Sequence, residues 1–283
     1  MKFLPYRLPK RTADSHKYSY GHLLLAAGSL RFPGAAVLAA GAAVRSGAGL
    51  VTLAFPDTAY AAIAPQSPLT PLLPLPSEAS GTFAPEALPL LLEAAAGKSA
   101  ALLGPGLGQS DGTRNLVPAF VQGAELPLVL DADALNCLAA HKDILQERKH
   151  PTVLTPHGGE MARLCGSSAE EIHRSRAAAA ETLAAETGAV VVLKGPQTIV
   201  CYAGRQYVNT TGNDGLAKGG SGDVLAGLLA GFLTQGMEPF AAACDAVYLH
   251  GVAGVRASMR LGKRGMTPLD LLSALQGVLL QQL

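Results

Sequence analysis

The sequence predicts an α/β protein whose mostly parallel sheet is covered by helices on both faces. Short apolar runs alternate with longer segments of helical periodicity along the 283 residues. Strands that are buried on both faces read as near-continuous apolar runs. Hydrophobic residues make up 49% of the chain and charged residues 15%, so a large core can be buried. Polar or glycine-rich residues follow several of the apolar runs, as expected of ligand-binding strand ends.

Each predicted element rests on this alternation. Strands are predicted at residues 22–27, 50–55, 100–104, 128–131, 153–156, 190–194, 198–202 and 206–209. Helices are predicted at 33–46, 85–96, 111–121, 132–141, 159–164, 169–187, 222–235, 239–259 and 268–283. Gly188 marks the end of a long helix. The proline- and serine-rich stretch 64–82 fits a linker or a surface loop, and we interpret it as a loop because the alternation resumes unchanged after it.

Composition excludes several classes of protein. The net charge is +1 with no basic block, which argues against nucleic-acid binding. The first residues lack a long apolar signal segment, and no run of about 18 apolar residues predicts a membrane span. The cysteines are scattered without zinc-site spacing, which is typical of free thiols in a reduced cytoplasm. They are Cys137, Cys165, Cys201 and Cys244.

The most informative segment is glycine-rich and contains one acid, Asp223. It reads Gly212-Asn213-Asp214-Gly215-Leu216-Ala217-Lys218-Gly219-Gly220-Ser221-Gly222-Asp223, and an apolar helical stretch follows. Glycines allow a close approach to a ligand, and the start of a helix offers free N–H groups to an anion. We therefore predict a phosphate-binding anion hole at Gly219, Gly220, Ser221 and Gly222. Asp223 is predicted to remove a proton from an attacking hydroxyl, the alternative being a simple N-terminal acid of the helix.

Four further segments follow predicted strands and are expected at the same edge of the sheet. They are residues 104–108, 131–136, 155–160 and 194–198. The first, Gly104-Pro105-Gly106-Leu107-Gly108, lacks the complete dinucleotide fingerprint. It fits either a tight turn or a turn whose open backbone admits a ligand.

Individual side chains at these strand ends allow more than one role. His157 either hydrogen-bonds a polar ligand or, with Glu160, caps the helix that follows. Asp131 and Glu160 suit a hydrated magnesium ion, although Asp131 also fits a helix cap. Lys194 is a candidate phosphate contact or a solvated strand end. His250 lies in an apolar helical stretch and is predicted to be a packed histidine.

Together these motifs resemble the ADP-dependent NAD(P)H-hydrate dehydratases. The resemblance runs from about residue 10 to the C-terminus, and its ordered set is specific, whereas the Gly219–Asp223 motif alone marks only the wider ribokinase-like superfamily. The motifs are Ser15-His16-Lys17 with Gly21, Arg45-Ser46-Gly47-Ala48-Gly49-Leu50-Val51, Gly104-Pro105-Gly106-Leu107-Gly108, Asp131-Ala132-Asp133-Ala134-Leu135-Asn136, Thr155-Pro156-His157-Gly158-Gly159-Glu160, Val192-Leu193-Lys194-Gly195 and Gly219-Gly220-Ser221-Gly222-Asp223-Val224-Leu225.

The resemblance implies a single three-layer α/β/α ribokinase-like domain over residues 1–283. It also implies that NADH or NADPH hydrated at nicotinamide carbon 6 (NADHX or NADPHX) is dehydrated at the expense of ADP, giving AMP and phosphate with Mg²⁺. A cytoplasmic homotetramer and a partner epimerase are expected. The implied contacts with the hydrated cofactor are Ala35, Gly108, His157 and Asp223. The implied nucleotide contacts are Lys194, Gly195, Pro196, Gln197, Thr198 and Gly222.

Three positions depart from the family pattern, namely Tyr18, Gly158 and Lys218. Gly158 replaces the proline that usually follows the histidine, and Lys218 stands where a small hydroxyl residue is common. Lys218 is expected to add a phosphate contact. A small-molecule kinase of the same fold and a non-catalytic nucleotide-binding protein remain alternatives, because fold alone does not decide function.

Overall fold

A single sheet of nine strands forms the centre of the molecule in the computed structural model, which describes residues 5–280. The strand order is β3-β2-β1-β4-β5-β6-β7-β8-β9. The strands are β1 (His22–Ala26), β2 (Leu50–Pro56), β3 (Leu72–Leu75), β4 (Ala100–Leu103), β5 (Leu128–Leu130), β6 (Thr152–Leu154), β7 (Val190–Leu193), β8 (Ile199–Tyr202) and β9 (Arg205–Val208). Strands β1 to β7 pair in parallel, and β8 and β9 continue the sheet as an antiparallel hairpin.

Helices cover both faces of this sheet. They are α1 (Pro33–Arg45), α2 (Tyr60–Ile63), α3 (Ala87–Ala95), α4 (Asp111–Gly123), α5 (Asp133–Leu138), α6 (Gly158–Cys165), α7 (Ala169–Arg174), α8 (Arg176–Thr187), α9 (Ser221–Thr234), α10 (Pro239–Gly265) and α11 (Pro268–Leu280). One buried cluster joins the sheet to α1, α9, α10 and α11. A second cluster joins the opposite face to α3, α4, α5, α6 and α8. The predicted helix–sheet–helix layering is confirmed.

Side-chain alternation along the strands separates the two cores. Leu23 and Leu25 of β1 pack in the cluster with α1 and α9, whereas Leu24 packs in the cluster on the other face. Small residues bring α1 and α9 close together. A β-carbon at Gly227 of α9 would lie 2.1 Å from the carbonyl oxygen of Ala39 in α1, so the two helices require glycine there. Within residues 5–280, no helix combines the length and the apolar character needed to cross a membrane.

All eight predicted strands are found, and the interpretation of 64–82 as a loop is wrong in part. That stretch contains β3, which pairs in parallel with β2. Pro74 hid the strand in the sequence, because proline cannot donate a hydrogen bond to a sheet. The strand is tolerated because it forms the outer edge of the sheet.

Three helix predictions need correction. The helix predicted at 169–187 is two helices, since Ser175 adopts non-helical angles and its hydroxyl donates to the carbonyl of Glu171. The helix predicted at 132–141 ends early and continues as a 3₁₀ segment, Ala139–Leu145. Helix α10 extends beyond residue 259 to Gly265, with a break at Gly262 where φ is 71°. The last three residues of the predicted helix 268–283 lie outside the described residues.

Candidate active site

The predicted polar residues lie at the carboxyl ends of neighbouring strands. Asp131 follows β5, His157 follows β6, and Lys194 follows β7. Asp223 lies in the first turn of α9, which packs against the same sheet. The parallel register of β5, β6 and β7 therefore brings together residues that are far apart in the sequence.

Lys194 forms a buried ion pair with Asp131. The Lys194 Nζ lies 2.5 Å from Asp131 Oδ1, and the side chains are 17% and 2% exposed. The same carboxylate oxygen accepts a 2.7 Å hydrogen bond from the Thr155 hydroxyl. Burial alone would disfavour both charges, so each ion depends on the other. Lys194 is thus not a solvated strand end, and the pairing with Asp131 was not predicted from the sequence.

A second carboxylate, that of Glu160, lies near the same ammonium. Its Oε2 is 3.9 Å from Lys194 Nζ. Burial raises the pKa of Glu160, against the opposing effect of the lysine. Burial lowers the pKa of Lys194, but the Asp131 and Glu160 carboxylates outweigh that effect, and the net shift is upward. Lys194 therefore stays protonated at neutral pH.

The carboxyl group of Asp223 is the most suitable base in the site. Burial and the charge of Asp131 raise its pKa to about 6, with Lys194 acting in the opposite direction. A base with a pKa near the working pH is ionised and still accepts a proton readily. The environment thus fits the predicted proton-removing role.

The start of α9 has the geometry of an anion site. Gly220 precedes the helix with φ of 95°, a conformation that favours glycine. Within residues 5–280, the amides of Gly222 and Asp223 have no hydrogen-bond partner, as expected of the first turn of a helix. A β-carbon at Gly222 would lie 3.5 Å from Lys194 Nζ, so the lysine ammonium borders this helix start. A β-carbon added at Gly219 would have no atom within 4 Å, so the turn is accessible at this residue.

His157 caps α6, as one of the two interpretations predicted. Its Nδ1 accepts hydrogen bonds from the amides of Gly159 and Glu160 at 3.0 and 3.3 Å. The Glu160 carboxylate accepts from the His157 amide at 2.8 Å and lies 3.2 Å from its Nε2. The proton of a neutral imidazole is therefore on Nε2. The side chain is 55% exposed, so capping leaves it accessible to a ligand.

The segment 104–108 lies beside α1. Gly104, Gly106 and Gly108 all have positive φ, at 135°, 65° and 76°. A β-carbon at Gly106 would lie 2.8 Å from that of Ala35, so Ala35 borders this turn. The amide of Gly108 donates to Asp133 Oδ2 at 2.9 Å. The structure therefore shows a tight turn whose Gly108 amide is already paired with Asp133, and the admission of a ligand there stays a prediction.

The structure shows a cavity of about 620 Å³ beside the start of α9. The predicted nucleotide residues Lys194, Gly195, Pro196, Gln197, Thr198 and Gly222 all line it. Ser221 of the predicted anion hole also lines it. Sequence reasoning missed its other walls, which are Asn209, Thr210, Thr211, Gly212, Asn213, Asp214, Leu216, Ala217, Leu225, Val247, His250 and Gly251. The run of small polar residues after β9 was the available signal for the first part of this list.

His250 is buried, as predicted. Its Nε2 donates to the carbonyl of Ser221 at 2.9 Å, at the start of α9. Burial lowers the pKa of His250 to about 4, so the ring is neutral at physiological pH. The histidine therefore supports the anion site from behind without adding charge.

The residues proposed for magnesium fit only one mode of binding. Within the part of the chain that the structure describes, no group of three histidine, cysteine, aspartate or glutamate side chains is arranged to hold a metal ion. Asp131 and Glu160 are near Lys194 and accept other hydrogen bonds. They suit an ion that keeps several waters and is held mainly by phosphate oxygens, as Mg²⁺ often is.

Comparison with known proteins identifies the family. The family model described as NAD(P)H-hydrate dehydratase matches residues 23–277. The chain belongs to the NAD(P)H-hydrate dehydratase family. It is 43% identical over 274 residues to the bifunctional NAD(P)H-hydrate repair enzyme Nnr of Moorella thermoacetica, covering 96% of this chain and 52% of that protein. The chain thus spans about half the length of this and other curated relatives that it matches.

Solved structures agree with this family assignment. The crystal structure of the ADP/ATP-dependent NAD(P)H-hydrate dehydratase from Bacillus subtilis, co-crystallised with ATP and Mg²⁺, is 34% identical with a TM-score of 0.84. The alignment covers 98% of this chain and 95% of that one. A ribokinase-like superfamily protein from Enterococcus faecalis V583 is 27% identical, also with a TM-score of 0.84, covering 97% and 92%. The predicted ribokinase-like fold is confirmed.

We predict that Lys194→Met destabilises the protein by about 3–5 kcal/mol, because Asp131 is left as an unpaired buried charge. The free energy of unfolding in urea measures this loss. The double variant Lys194→Met/Asp131→Asn should recover more than half of it.

Lys142→Met provides the matched control, because the Lys142–Glu186 pair is also short, at 2.8 Å, but more exposed. Its cost should be under about 1 kcal/mol. Equal losses for Lys142→Met and Lys194→Met would contradict a special role for the buried pair.

Proposed function

We propose that the protein dehydrates (6S)-NADHX and NADPHX to NADH and NADPH, consuming ADP and releasing AMP and phosphate. The observation that carries this proposal is the arrangement at the start of α9. There a carboxyl with a pKa of about 6 lies beside free helix amides and a buried lysine ammonium. Family membership supports the choice of substrate.

The nucleotide is proposed to occupy the cavity beside the start of α9, against Lys194, Gly222 and the segment 195–198. The amides of Gly219, Gly220 and Gly222 would receive the transferring phosphoryl group, because free N–H groups at a helix start favour negative charge. The Ser221 amide, also predicted for this anion hole, donates to the Lys218 carbonyl at 3.2 Å in the structure. Lys194 would add a fixed positive charge, held in place by Asp131.

The hydrated cofactor is proposed to lie on the other side of Asp223. The turn that contains Gly106 and Gly108 lies next to Ala35 and would form one wall of this position. The exposed His157 ring provides an N–H at Nε2, and Asp223 faces the reacting hydroxyl. Ala35, Gly108, His157 and Asp223 thus form the proposed binding set for the hydrated nicotinamide.

The proposed chemistry solves the problem of a poor leaving group. Asp223 removes the proton of the carbon-6 hydroxyl while the hydroxyl oxygen bonds to the terminal phosphorus of ADP. The bond between this phosphorus and the bridging oxygen breaks at the same time, which releases AMP. The bond between carbon 6 and this oxygen then breaks, with electrons supplied by the ring nitrogen, and the oxygen leaves as part of phosphate. Loss of a proton from carbon 5 restores the ring double bond and completes the dehydration.

Magnesium is proposed to be held through water by Asp131 and Glu160 and directly by the diphosphate. When bound, it would neutralise phosphate charge during transfer. The chain itself contributes positioning and proton removal. Lys194 keeps the two carboxylates at a fixed distance from the start of α9.

Further features of the whole protein are proposals of the same kind. We expect residues 1–283 to act as one domain, which the continuous sheet supports. We also expect a cytoplasmic homotetramer that works with an epimerase acting on the same damaged cofactor. The name of the bifunctional relative from Moorella thermoacetica is consistent with a second repair activity acting alongside this one.

An assay with hydrated NADH, ADP and Mg²⁺ tests the proposed function. The reduced-nicotinamide absorbance should return while phosphate is released in a one-to-one ratio. A small-molecule kinase of this fold would instead form a stable phosphorylated product, and a non-catalytic protein would bind ADP without turnover. Phosphate release without return of the absorbance would refute the dehydratase assignment.

We predict that Asp223→Asn lowers turnover by about 100-fold or more, because the amide keeps the shape of the carboxyl but accepts no proton. Steady-state kinetics measures the loss, and ADP affinity should stay within a few-fold of the parent. Turnover close to the parental rate in a folded Asp223→Asn variant would remove Asp223 from the role of base.

A further inference from the structure

One wall of the cavity is a loop, residues 209–218, that packs against α10. A β-carbon at Gly251 would lie 2.1 Å from the Thr211 hydroxyl, and one at Gly254 would lie 2.7 Å from Leu216. The two helix glycines therefore let the loop lie directly on α10. Asn209 fixes the first part of the loop, donating to the Val247 carbonyl at 3.1 Å and accepting from the Thr211 hydroxyl at 2.9 Å.

Lys218 fixes the other end of this loop through contacts with the main chain. Its ammonium donates to the carbonyls of Arg264 and Met266, at 2.6 and 2.5 Å. These carbonyls lie where α10 ends, past the break at Gly262. Two of its three N–H groups are thus used on main-chain carbonyls, a role that was not predicted from the sequence.

The end of α10 leads directly to the anion site. Met266 is followed closely by Pro268, which begins α11. A β-carbon at Gly220 would lie 2.9 Å from Pro268, so the glycine turn rests on this connection. Lys218 therefore joins the loop wall, the end of α10 and the turn that precedes α9.

We propose that Lys218 is a positioning residue that holds the loop 209–218 and the turn at Gly219 and Gly220 in the nucleotide-binding arrangement. It acts through the carbonyls of Arg264 and Met266 and makes no contact with the nucleotide. This inference rests on the proposed nucleotide cavity. According to this inference, Lys218 increases nucleotide affinity indirectly, by holding the loop and the turn in place.

A second lysine, Lys263, also contacts this loop, and the comparison shows why Lys218 should hold the loop more firmly. Lys263 pairs with Asp214 at 2.5 Å, but these side chains are 57% and 75% exposed. Exposed ion pairs contribute little, because water and salt screen them. Lys218 is half-buried and binds two main-chain carbonyls, whose positions are fixed by the helix end.

The test compares Lys218→Met, which keeps the length of the side chain but removes the ammonium, with the control Lys263→Met. Calorimetry measures the Kd of each protein for ADP and for adenosine, and kinetics measures KM for ADP and kcat. Lys218→Met should raise Kd for both ligands by the same factor, about tenfold, and raise KM for ADP similarly. Its kcat at saturating substrates should stay within about twofold, and Lys263→Met should match the parent.

Three results would overturn the inference. Unchanged Kd values for Lys218→Met would show that the loop holds its shape without the lysine. A loss confined to ADP would show a direct phosphate contact instead. If the parent binds neither ligand, the proposed nucleotide cavity fails and the inference fails with it. Should Lys218→Met not fold, Lys218→Gln, which keeps a donor, undergoes the same measurements and is expected to show a smaller loss common to both ligands.

Discussion

The buried ion pair between Lys194 and Asp131 is the interaction on which the rest of the site depends. Asp131, Glu160 and Asp223 converge at the ends of parallel strands and at the start of α9, where mutual repulsion would otherwise disfavour their ionised forms. Lys194 supplies the compensating charge at 2.5 Å from Asp131 and 3.9 Å from Glu160. Asp131 follows β5 and Lys194 follows β7, so the sheet holds the main chain of both residues, and the ammonium lies next to Gly222.

Under the proposed function, the site divides into a part that binds phosphate and a part that removes a proton. Main-chain amides and glycine turns form the first part, so its geometry is set by the backbone at the start of α9. Asp223 would form the second, and Asp131 and Lys194 shift its pKa in opposite directions. His250 contacts the start of α9 through the Ser221 carbonyl. Because its ring is neutral, it adds no charge to the site.

The sequence predicted the fold and the strand-end residues because both follow from local patterns. Apolar runs marked eight strands, and the glycines before Asp223 marked the anion site. Contacts between distant residues left no such pattern, which is why the Lys194–Asp131 pair and the loop wall at 209–218 were missed. The main-chain contacts of Lys218 were missed for the same reason, since its carbonyl partners lie 46 and 48 residues away. Edge strand β3 was hidden by Pro74, whose tolerance depends on its place in the sheet.

The central claim is that burial and the surrounding charges make Asp223 a base poised near neutral pH. Carbon NMR of protein labelled at aspartate carboxyls, with Asp223→Asn used to assign the signal, measures its titration directly. The account predicts a midpoint at about pH 6, so that the base is ionised above that pH and protonated below it. A midpoint near the ordinary aspartate value of about 4 would contradict the account, because it would show a carboxyl as well solvated as one in water.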